Sequence, residues 1–94
     1  MGLTFKWDRG KARTNLGKHG VSFEEAASLF ADPLSVTIHD PDHSSAREER
    51  FVSVGHSVRR RLLVVVHCDR GDSIRIVSAR PATRREREQY EEGR

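Results

Sequence analysis

The chain has 94 residues, 35% of them hydrophobic and 33% charged, which suits one domain with a small core over residues 1–94 and excludes two. Its formal net charge of +3 is unevenly spread: residues 47–94 hold twelve arginines, no lysine and eight carboxylates, whereas residues 1–46 hold five cations and six carboxylates. The single cysteine, Cys68, excludes an intrachain disulfide, and no apolar run reaches signal-peptide or transmembrane character, so a cytoplasmic protein is expected, with no membrane partner.

Leu3 to Trp7 alternates and predicts a short strand. Asp8 is a candidate N-cap for a helix over Arg9 to Lys18 that Gly20 closes. Ser22 and Glu25 have capping-box spacing, and Phe23, Ala26, Ala27 and Phe30 recur at helical spacing, so a second helix with one apolar face follows. Asp32-Pro33 ends it. Leu34 to His39 is β-rich, and Asp40 to Ala46 is a polar loop. Its His39-Asp40-Pro41-Asp42-His43 run has ligand residue types but the composition of a flexible turn, and no metal site is expected there.

Arg50 to His56 alternates with Val52 and Val54 on one face. A hairpin tip at Arg59-Arg60 leads into Arg61 to Cys68, whose run Leu62 to Val66 suits a central strand covered on both faces. A turn over Asp69 to Asp72 leads into Ser73 to Arg80. Pro81 stops that strand, and Thr83 and Glu86 cap a helix from Arg84 to about Glu91. Helices that precede a run of hairpins predict an α+β fold: an N-terminal strand and two helices, then a twisted antiparallel sheet and a C-terminal helix.

Several segments together resemble one family. They are Phe5-Lys6-Trp7-Asp8, the stretch from Asn15 to Ala26 with its Lys18-His19-Gly20-Val21-Ser22-Phe23-Glu24-Glu25, Arg50 and the strand with Gly55, Leu63 to His67, Ile74 to Arg80, and Glu86-Arg87 with Tyr90. The chain resembles BrnT toxins over nearly its whole length. The resemblance implies a RelE-like fold and a ribonuclease toxin of a type II toxin–antitoxin pair, needing no metal or other cofactor, that cleaves RNA and inhibits translation. It also implies a BrnA-like antitoxin partner whose complex with the toxin binds operator DNA. The alternative is a non-catalytic binding module that only partners a DNA-binding repressor.

Metal-free RNA cleavage needs a base for the 2′-hydroxyl, cations for the phosphorane, an acid for the leaving oxygen and a surface that aligns the nucleotides. Guanidinium forks suit the second task. Arg75, between Ile74 and Ile76, is the first candidate, because alternation points it from the open face if the isoleucines face the helices; its other reading is a solvated strand arginine. Arg80 is the second, with anchoring of the C-terminal helix as its other reading. His67 is an acid/base candidate whose place depends on register. A loop at 70–72 puts it across from Arg75, and a loop at 70–71 puts it across from Ile74, in the core.

Tyr90, four residues after Glu86 on one helix face, is a candidate for base stacking or proton transfer, or packs the helix onto the sheet. Lys18, His19, Arg50, Arg59, Arg60 and Arg61 are candidate RNA contacts. Of these, Lys18 and His19 also suit a helix C-terminus, and Arg59 to Arg61 also suit a solvated turn. RelE relatives tend to place lysines in the sheet, and the sheet expected of the second half has none.

Overall fold

A computed structural model describes residues 3–46 and 48–93. The elements are β1 (Thr4–Lys6), α1 (Arg9–His19), α2 (Phe23–Ser28), β2 (Val36–Asp40), β3 (Glu49–His56), β4 (Leu62–Arg70), β5 (Ser73–Pro81) and α3 (Arg84–Glu92). The strands form one sheet in the order β1-β5-β4-β3-β2. Strands β2 to β5 pair antiparallel, as hairpin-forming segments must, while β1 joins β5 in parallel after its long separation in sequence. The expected α+β class and order of elements are what form.

Capping explains the helix limits. Asp8 accepts from Lys11 N at the start of α1, and Gly20, at φ 69°, closes it in the left-handed region where glycine has no Cβ penalty. Thr83 and Glu86 make a complete capping box on α3. Ser22 caps α2, but Glu25 does not return the bond: its carboxylate turns to Arg61 and Ser57 instead.

Helices α1 and α2 cover one face of the sheet. Val21, Phe23, Ala26 and Leu29 pack there against Leu63, Val65, Ile76 and Ala79, and Phe5, Trp7 and Phe30 extend the cluster. Helix α1 contributes little apolar surface, and its Leu16 is exposed. A buried amide holds it instead. Asn15 Nδ2 donates to Val21 O at 2.9 Å and Ala79 O at 2.8 Å, and Asn15 Oδ1 accepts from Ala79 N at 3.1 Å. Both donors and the acceptor of that amide group are thereby used, on the α1–α2 connection and on β5.

The opposite face is open except where α3 crosses one end. Tyr90 seats the helix there, between its hydroxyl bond to Leu34 O (3.0 Å) and the His56 ring. Beside it runs an apolar groove of about 400 Å³, lined by Val36, Ile38, Val52, Val54, Val64 and Tyr90 among others.

Register decides which side chains reach each face. The β4–β5 turn is Gly71-Asp72, with Gly71 at φ 60°. Asp69 pairs with Ile74, Cys68 with Arg75 and His67 with Ile76, so neither anticipated loop is the one formed. Between Val66 and His67 the register slips, because Val77 is an extra residue in β5. Ile74, Ile76 and Ala79 therefore all face the helices, while Arg75, Ser78 and Arg80 face the open side.

Replacing Asn15 with Ala should strip three hydrogen bonds from a buried site and cost on the order of 3 kcal/mol. Thermal melting should show a Tm lower by roughly 10 °C or more for a domain of this size. A drop of a degree or two would mean that α1 is held by something else.

Candidate active site on the open sheet face

Directly paired residues of neighbouring strands share a face. One transverse line of such pairs crosses the whole sheet: Asp40 with Arg50, Arg50 with Cys68, Cys68 with Arg75, and Arg75 with Lys6. Three cations thus stand in one line on the open face, Lys6 about 4.8 Å from Arg75 along the sheet and Arg50 about twice that on the other side, beyond Cys68. Lys6 is a sheet lysine after all. It entered through the parallel pairing of β1, which local pattern does not report.

Arg75 is half-exposed, and its Nη2 lies 2.6 Å from Glu48 Oε1. The other carboxylate oxygen, Oε2, is 2.7 Å from Arg70 Nη2. Lys6, Cys68, Arg70, Ser73 and Arg75 line a small cleft at this end. Cys68 is buried beneath the arginine, with Sγ 4.0 Å from Arg75 Nη2. Arg50 is half-buried, and its Nε is a buried donor with no hydrogen-bond partner among the described residues. Burial raises the proton affinity of Glu48, but hydrogen bonds from Arg75, Cys68 and Arg70 outweigh it and hold the carboxyl below its ordinary value.

Arg80 shares the open face with Arg75 but not its cleft. Five residues along the strand separate them by roughly 15 Å. Its guanidinium is committed to Glu86 through two bonds of 2.7 and 2.8 Å, and Glu86 Oε1 also accepts from Thr83 N. The arginine's hydrogen bonds pull the Glu86 carboxyl down to about 2 against an opposing effect of burial. Arg80 therefore anchors the first turn of α3.

His67 and Tyr90 are also placed away from Arg75. His67 is 1% exposed on the helix-covered face. There Nδ1 meets Asp69 Oδ1 at 2.6 Å and Nε2 meets Ser53 Oγ at 2.8 Å, with Thr37 Oγ1 2.7 Å beyond the serine. The order Ser–His–Asp is that of a hydrolytic triad, yet Ser53 is fully buried and Phe30 and Phe51 cover the ring. It is a polar seam between strands. The Tyr90 hydroxyl is engaged with Leu34 O, and its ring is buried under α3.

The remaining basic candidates gather on the helix side. Arg61 donates to both oxygens of the buried Glu25 and to Gly20 O at 2.9 Å, next to Lys18 and His19. The Arg61 hydrogen bonds hold Glu25 below its ordinary value despite burial. Arg61 is thus a structural ion partner, while Arg59, Arg60 and Lys18 stay exposed around it and His19 is half-buried. Among the described residues no group of three or more His, Cys, Asp or Glu is arranged to hold a metal ion. His39 is 3.2 Å from Glu49, and His43 is 2.9 Å from Asp40.

A small sheet is backed by helices on one face and carries a transverse row of cations on the other, a surface whose charge suits a polyanion. The family model described as "Ribonuclease toxin, BrnT, of type II toxin-antitoxin system" matches residues 7–86. The chain belongs to that family. Its structure is similar to the crystal structure of the Brucella abortus ribonuclease toxin BrnT, with a TM-score of 0.62 and 21% identity over 87% of this chain and 99% of that one. Comparison with curated sequences gave no significant match.

The Arg80–Glu86 pair makes stability depend on acid. The folded-state pKa of Glu86 is depressed to about 2 from 4.5, so its contribution is present above about pH 4.5 and is lost as pH falls towards 2. Glu86→Gln should lower Tm at pH 6, and the gap to the parent protein should close across that window. A gap unchanged between pH 6 and pH 2.5 would show that the ion pair is not its source.

Proposed function

We propose that this protein is a metal-independent endoribonuclease that inhibits translation by cleaving RNA laid across the open face of the sheet. The transverse row of Arg50, Arg75 and Lys6 carries this reading. Arg75 binds the phosphate that is cut. Its planar fork can hold two phosphate oxygens, and its charge offsets the negative charge that grows on the phosphorane. Lys6 lies one strand from it and Arg50 two strands away on the other side, across Cys68, and both hold adjacent parts of the nucleotide chain. Lys6 is a proton donor within the same row for the departing oxygen.

Arg80 and Tyr90 serve this surface indirectly, by fixing α3 as the wall at one end of it. His67 supports it from behind, through the seam that ties β2, β3 and β4 together. Lys18, His19, Arg59 and Arg60 offer a second basic patch for more distant phosphates, whose weaker contacts add affinity rather than chemistry.

As a member of a toxin–antitoxin family, the protein is neutralised by a partner. That partner is a BrnA-like antitoxin, and the toxin–antitoxin complex binds operator DNA. The apolar groove beside α3 and the cationic row lie on one face, so a single partner segment can cover both.

The purified protein should cut single-stranded RNA equally well with and without EDTA, and its expression should arrest growth. Arg75→Ala should slow cleavage about 100-fold or more while the fold survives, since loss of one oxyanion-stabilising donor has effects of that size. Cleavage by the purified protein that vanishes with EDTA would overturn metal independence. Intact RNA and undisturbed growth would leave a binding module that only partners a repressor.

A further inference from the structure

We propose that Glu48 is the general base of the cleavage and takes the 2′-hydroxyl proton of the nucleotide whose phosphate Arg75 binds. This assignment rests on the ribonuclease reading above and deepens it.

Glu48 lies at the end of the β2–β3 connection, immediately before β3. A tight turn holds it: Ser45 N donates to Glu48 O at 2.8 Å, and Glu48 N donates to Ser45 Oγ at 3.2 Å. The side chain is about four-fifths buried, and it reaches the two arginines by one oxygen each, at 2.6 and 2.7 Å. Among the described residues Glu48 is the carboxylate in contact with Arg75, and that contact uses Nη2 alone. Nε and Nη1 of the guanidinium remain for a phosphate. One planar group thereby holds base and phosphate side by side, the arrangement needed to bring a carboxylate to the hydroxyl next to that phosphate.

Other acid/base groups are placed elsewhere. His67 is on the covered face, the Tyr90 hydroxyl bonds to a carbonyl, and both oxygens of Glu86 are held by Arg80. Asp40, at the far end of the row, bonds to His43.

In the step, the 2′-hydroxyl proton passes to the Glu48 carboxylate as the 2′-oxygen forms its bond to phosphorus. The bond from phosphorus to the 5′-oxygen breaks, and that oxygen takes a proton from the Lys6 ammonium group. The products are a 2′,3′-cyclic phosphate and a 5′-hydroxyl end. Glu48 gives its proton to solvent and Lys6 regains one from it. The hydrogen bonds that hold Glu48 below its ordinary value keep it ionised at neutral pH. A phosphate competing for the same guanidinium groups weakens those bonds and adds negative charge nearby, so substrate itself makes the carboxylate more basic.

The test is Glu48→Gln, which keeps an oxygen for Arg75 but cannot accept the proton. Single-turnover cleavage at saturating protein should fall about 100-fold or more, the range of a lost general base. Binding of a non-cleavable 2′-deoxy-substituted RNA should stay equal or tighten. Glu48→Ala should regain part of its cleavage when formate is added, a rescue that a purely structural side chain would not allow. Cleavage by the Gln variant at the parent rate or faster would overturn the assignment alone, making Glu48 a mere occupant of the arginines. Parallel loss of binding and cleavage, without formate rescue, would also overturn it. Failure of the parent protein to cut RNA would bring down the ribonuclease reading and this assignment together.

Discussion

One extra residue in β5 organises the molecule. Strict alternation would send Arg75 and Arg80 to opposite faces, because they are separated by an odd number of positions. Val77 absorbs the difference, so that Ala79 stays in the core beside Val65 while Arg80 joins Arg75 on the open side. Without it, the C-terminal half of β5 would present Arg80 to the helices and Ala79 to α3. The docking of Asn15 onto Ala79 and the anchoring of α3 through the Arg80–Glu86 pair both depend on that shift.

The two faces then carry different kinds of polar chemistry. On the covered face every polar group highlighted above has a partner: Asn15 bonds to backbone, Glu25 to Arg61 and Ser57, and His67 to Ser53 and Asp69. A core this small tolerates such groups because each is satisfied; an orphan would cost a large part of the few kcal/mol by which a domain is stable. On the open face the logic reverses. Arg50 keeps a buried donor with no partner among the described residues, and Arg75 engages Glu48 through a single nitrogen. Unspent hydrogen-bonding capacity beside an apolar groove marks the surface that binds something else.

The twelve arginines of the second half therefore do not act as one positive cloud. Arg61 and Arg80 are held by carboxylates and build the structure, Arg59 and Arg60 remain around an exposed turn, Arg70 and Arg75 line the cleft, and Arg50 stands beyond Cys68 in the same row. Geometry, rather than charge count, separates these roles. The same fork that grips a phosphate grips a carboxylate equally well, and whichever anion the fold places closest takes it.

Much of this was legible locally. Capping residues and apolar spacing in the sequence determine the helices, and alternation around Ile74-Arg75-Ile76 puts Arg75 on the face away from the core. Those are short-range properties, set by φ preference, by side-chain periodicity and by hydrogen bonds three residues apart. Tertiary structure decided the rest. Parallel pairing brings Lys6 to Arg75 across some seventy residues of chain, a loop carries Glu48 over the end of the sheet, a two-residue turn puts His67 across from Ile76, and the bulge beyond it keeps Ala79 in the core. Nothing near Lys6 or Glu48 in the chain encodes these neighbours. They follow from which strand edges meet and how one ladder slips, and those are settled by the packing of the whole sheet against its helices.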